Sequence, residues 1–115
     1  MISKREIKLA KKIFHLNDWD ITVTIDKNSD NGDYGQAEVK REYRIAHITI
    51  YSKVIDKDPT GKETIKSTFY HEMGEIISDM YLDVLDLVES DTKTYKFCDY
   101  IADHIARVVL ALTSE

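Results

Sequence analysis

Residues 68–75 read Thr-Phe-Tyr-His-Glu-Met-Gly-Glu, and their types and spacing could do metal chemistry. His71 and Glu75 stand four positions apart, so on a helix their side chains lie one turn apart on the same face. Two such donors can share one cation. A carboxylate beside them, here Glu72, can take the proton of a water that the cation polarises. At about 100° per residue, His71, Glu72, Glu75 and Asp79 fall within roughly a third of the helix circumference. Opposite them, Ile65, Phe69, Met73, Ile76, Ile77, Met80 and Val84 form an apolar stripe at helical spacing. The pattern predicts one helix over residues 63–86. The plainer reading of the same polar arc is a solvated face, since acidic residues are common on the wet side of an amphipathic helix.

The elements around this helix must hold it. Residues 3–16 read as a helix, with Ser3 as N-cap and Ile7, Ala10, Ile13 and Phe14 on one face. Trp19, Ile21, Val23 and Ile25 alternate with polar residues, which is strand periodicity. Residues 28–35 are rich in Asn, Asp, Ser and Gly and form a loop. Residues 36–43 are a polar strand suited to an edge. Residues 45–51 form a third strand, with Ala46, Ile48 and Ile50 on one face and Ile45, His47, Thr49 and Tyr51 on the other. Residues 53–61, with Asp58-Pro59, read as a loop. After the central helix, Asp91 opens a last helix whose buried face carries Cys98, Ile101, Ala102, Ile105, Val108, Val109 and Leu112. Segregated strands and helices predict an α+β domain over residues 1–115, with helices packed on one face of a small sheet.

A chain of 115 residues fits one domain with a single modest core. Its net charge of -5 argues against a nonspecific nucleic-acid binder, which needs a basic surface to displace counterions. The lone cysteine, Cys98, rules out an intrachain disulfide and suits a reducing cytoplasm. The first residues show no apolar core of signal-peptide length, and the apolar run at 108–112 is too short to cross a bilayer. The expectation is a cytoplasmic protein with no membrane contact. No Gly-rich phosphate loop, CxxC pair or Ser-His-Asp order points to another chemistry.

The stretch through His71-Glu72 resembles the HExxH helix of zincin-like metallopeptidases, and its surroundings resemble the compact zincin-like proteins of phages and mobile elements. An amphipathic helix leads into Leu16-Asn17-Asp18-Trp19-Asp20-Ile21-Thr22-Val23, similar to that group's tryptophan-containing first strand. Tyr34-Gly35-Gln36-Ala37 opens the second strand, and Ile45-Ala46-His47-Ile48-Thr49-Ile50 forms the third. Gly74 falls where many zincin motifs carry glycine; close helix packing explains it equally well. The resemblance implies a zincin-like fold: N-terminal helix, three-stranded sheet, motif helix and C-terminal helix. It implies Zn2+ as cofactor, His71 as a ligand, Glu72 as general base, and an edge strand that holds a substrate peptide in extended form.

The chain departs from the pattern at Glu75, where the family has its second ligand histidine. A carboxylate can bind zinc, and it makes the site harder and more anionic. The third ligand stays open. His104 on the last helix is one candidate; Glu89, Asp91 and Asp99 compete, and a histidine at a helix–helix contact is the plainer reading of His104. Two functions follow. One is a scaffold with a degraded motif that acts by binding a protein partner, for instance as an inhibitor of a host defence. The other is a metal-dependent peptidase that uses His71 and Glu75 as ligands and Glu72 as base.

Overall fold

In the computed structural model, which describes residues 2–29, 31–84, 102–104, 106–107 and 110, the first helix, α1, spans Lys4–Ile13. Ser3 caps it: its hydroxyl accepts from the Glu6 backbone N–H at 3.1 Å, while the Glu6 carboxylate accepts from the Ser3 N–H at 3.4 Å. Such a reciprocal box is worth about 1 kcal/mol. The helix stops three residues before the expected end. His15 turns left-handed at φ 58°, and the Leu16 N–H reaches back to the Lys11 carbonyl at 2.7 Å. This is a Schellman closure, and it returns Leu16, 1% exposed, to the core.

Three strands follow: β1 (Asp20–Asp26), β2 (Gly35–Lys40) and β3 (Ile45–Tyr51). β3 lies in the middle, parallel to β1 and antiparallel to β2. The polar strand is therefore an edge, as its charges predict. It ends at Lys40, earlier than its polarity suggested, because Arg41–Tyr43 coil into a 3-10 turn and Arg44, at φ 54°, reverses the chain into β3. Ala46, Ile48 and Ile50 are fully buried on the face that meets the helices. His47, on the other face, meets Thr22 Oγ1 through Nδ1 at 2.6 Å.

The loop expected at 53–61 is a correction. Residues Ser52–Asp56 form a short helix, α2, whose Ile55 is buried in the core. The turn chemistry of Asp58-Pro59 begins only after it. The motif helix, α3, runs Ile65–Val84. Phe69, Tyr70, Met73 and Ile76 are buried, and the Tyr70 ring stacks on Phe14 of α1 with centroids 6.3 Å apart. Met80, assigned to the apolar stripe, is 38% exposed. Of the last helix, Ala102 is buried as expected, and Ala106, which the spacing did not assign to the buried face, is buried as well. Cys98, Ile101, Ile105, Val108, Val109 and Leu112 lie outside the described residues. The architecture is α+β, with a mixed three-stranded sheet. Among the described residues no helix is long and apolar enough to cross a membrane.

Candidate functional site

Two glycines let other elements approach the motif. A Cβ on Gly35, at the start of β2, would stand 2.7 Å from Thr68 Cγ2 and 3.3 Å from Glu72 Cγ. A Cβ on Gly74 would stand 2.9 Å from the Ala102 carbonyl oxygen and 3.0 Å from its Cα. The polar arc of α3 is therefore enclosed between the edge strand and the helical residues around Ala102. This corrects the reading of a solvated face. Glu72 is only 6% exposed, and His71 and Glu75 are half-buried. A helical wheel gives a residue's direction, not what a distant segment lays over it.

Between these elements is a cavity of about 530 Å³. His71, Glu72 and Glu75 line it from α3, Tyr34 and Gly35 from the chain leading into β2, and Asp103 from the far side. His71 Nε2 lies 3.3 Å from Glu75 Oε1, and His71 Nδ1 lies 3.8 Å from Asp103 Oδ1. The second Asp103 oxygen pairs with Arg107 Nε at 2.9 Å. Asp79 is held elsewhere: Arg41 reaches its carboxylate at 3.3 Å and its backbone carbonyl at 3.0 Å, tying the turn after β2 to α3.

His104 is exposed and does not line the cavity; its neighbour Asp103 does. Adjacent helical residues point about 100° apart, and with Ala102 and Ala106 turned into the core the cavity side falls to Asp103. Glu89, Asp91 and Asp99 lie outside the described residues. His15 sits exposed in the turn after α1, and His47 is on the outer face of the sheet.

The donor spacing bears on a metal. Ligands held about 2.0 Å from a tetrahedral zinc stand roughly 3.3 Å from one another, and the His71–Glu75 pair has that separation. Imidazole nitrogen and carboxylate oxygen are both zinc donors. The Asp103 carboxylate lies near the opposite ring nitrogen at 3.8 Å, outside hydrogen-bond distance. Among the described residues no group of three His, Cys, Asp or Glu side chains gathers around one point. The described chain thus supplies two donors that fit and leaves the third place open.

Sequence reasoning missed Tyr34, Asp58, Glu63 and Asp103. Asp58 accepts from the Tyr34 hydroxyl at 3.1 Å and from the backbone N–H groups of Lys62 and Glu63 at 3.1 and 2.9 Å. Hydrogen bonds from Thr60 and Glu63 hold its carboxyl well below the usual carboxylate range. The hydrogen bond to Asp58 in turn pushes the Tyr34 phenol up from its ordinary value. An Asp followed by Pro-Thr-Gly is a turn signal and could have marked the first of these residues. Neither a family model, nor a curated protein, nor a solved structure matches this chain.

Proposed function

We propose that this protein is a zincin-like, metal-dependent peptidase of phage or mobile-element type, with His71 and Glu75 as ligands and Glu72 as general base. The observation that carries the reading is the 3.3 Å separation of His71 Nε2 and Glu75 Oε1 beside a buried Glu72, in one cavity. A bound divalent cation would supply Lewis acidity to a peptide carbonyl and to water. Glu72 holds the proton taken from the attacking water and returns it to the leaving amine. Asp103 stands 3.8 Å from the other ring nitrogen of His71, close enough to favour its charged form electrostatically. Among the described residues no strand pairs with the outer edge of β2, whose first residue, Gly35, lines the cavity; such an edge would hold a peptide in extended form by strand addition.

A second reading has its own support. Among the described residues no third donor joins the pair, and Glu75 stands in a ligand-histidine position. On that reading the protein is a catalytically inactive scaffold in the cytoplasm that docks a protein partner, such as a component of a host defence.

Metal analysis separates the two. Protein purified without chelator should carry one zinc per chain, or take it up in calorimetry. His71→Ala and Glu75→Ala should each weaken the affinity by at least about tenfold to a hundredfold. No zinc uptake at millimolar metal would remove the peptidase reading and leave the scaffold.

A further inference from the structure

We propose that Asp58, which does not itself line the cavity, is a positioning residue that clasps the cavity wall formed by Tyr34 and Glu63 against the motif helix. The functional side of this inference rests on the peptidase reading; the clasp itself does not.

Asp58 is half-buried, and its two oxygens join Tyr34 to the segment 60–63. Oδ1 accepts from the Tyr34 hydroxyl at 3.1 Å and the Thr60 N–H at 3.2 Å. Oδ2 accepts from the Thr60 hydroxyl at 2.7 Å and from the N–H groups of Lys62 and Glu63 at 3.1 and 2.9 Å. The network continues inward. Glu63 Oε1 accepts from the hydroxyls of Ser67 and Thr68 at 3.0 Å each. Thr68, 2% exposed, presses on Gly35, which in turn packs on Glu72. The Tyr34 carbonyl accepts from the Tyr51 N–H at 2.8 Å, so the clasp is also joined to β3. Tyr34, Glu63, Thr68 and Gly35 all face the cavity.

A carboxylate is suited to this place because every partner is a donor. An amide in its stead would turn its own NH₂ donors toward one group of them. His71, Glu72 and Glu75 sit on the continuous α3 and do not need Asp58 to stay in register with one another. Loss of the clasp should therefore loosen the wall that meets the peptide and leave the metal ligands and the base in place. Because Asp58 stays charged far into acid, its support is complete above the ordinary carboxylate pKa of about 3.9 and is lost progressively as pH falls from there through its lowered folded value.

The test uses the full chain with zinc added, comparing wild type, Asp58→Asn and Tyr34→Phe. Tyr34→Phe identifies the Tyr34 phenol in an absorbance titration. In wild type that phenol should titrate above the ordinary tyrosine range, and in Asp58→Asn it should return toward it. Amide exchange should speed up at Lys62 and Glu63 in Asp58→Asn and stay slow at Met73–Ile77 within α3. The KM for fluorescein-labelled casein should rise about tenfold, with kcat and zinc affinity within about threefold of wild type. An unmoved phenol, unchanged exchange at Lys62 and Glu63, or a fall in kcat at constant KM would overturn the assignment. If wild type does not cleave casein, the peptidase reading falls, while the phenol and exchange readouts still decide the clasp.

Discussion

Glu72→Gln is expected to lower peptide hydrolysis by about 10²- to 10⁴-fold, the usual worth of a positioned general base. The substitution keeps the side chain's size in a place where Glu72 is 6% exposed and its Cγ lies against Gly35. What it removes is the capacity to take a proton. His71 and Glu75 are untouched, so zinc affinity should change by no more than about threefold and the thermal midpoint by only a few degrees. Steady-state hydrolysis of labelled casein at saturating zinc, beside a zinc titration of the same preparation, checks both halves. Activity retained within tenfold of wild type would take the proton-transfer role away from Glu72. Loss of zinc binding together with activity would mean that Glu72 is a ligand instead.

The second large effect is on stability. Gly74→Val should cost about 3 kcal/mol, at the upper end for forcing volume into a packed contact. A Cβ at residue 74 meets the carbonyl oxygen and Cα of Ala102 at 2.9 and 3.0 Å, and backbone atoms cannot turn aside as a side-chain tip can. Gly74→Ala separates this from helix propensity. Propensity alone predicts a gain of about 1 kcal/mol in a helix interior; the contact with Ala102 predicts a net loss. Urea unfolding with both variants decides the sign, and an Ala variant more stable than wild type would refute the close crossing. Since Asp103 follows Ala102 directly, the same variants should also move Asp103 away from His71.

Much of the fold was legible because local rules and the tertiary structure agree. Ser3 reads as an N-cap and is one; the structure adds the reciprocal bond to Glu6. The alternation of Ala46, Ile48 and Ile50 marks the buried face of β3, and the charges of β2 mark an edge. The short helix at Ser52–Asp56 was not legible. A five-residue helix is too brief for periodicity to report, and what holds it is the burial of Ile55. In the site, the spacing of His71 and Glu75 gave their proximity directly. The burial of Glu72 did not follow from spacing, because it depends on Gly35, which comes from a distant part of the chain. That Asp103 faces the cavity and His104 does not follows from helix rotation, which a sequence with apolar residues on both flanks leaves undetermined. Asp58 looked like a turn residue and is one; its link to the cavity wall runs through Tyr34, 24 residues away.

The central claim is that His71 and Glu75 hold one divalent cation between them. Anomalous diffraction at the zinc edge, from crystals grown with one equivalent of zinc, tests it most directly. The expected result is one dominant peak about 2.0–2.2 Å from both His71 Nε2 and a Glu75 carboxylate oxygen. No peak in the cavity, or a peak bound elsewhere on the surface with the His71–Glu75 pair still in direct contact, would contradict it.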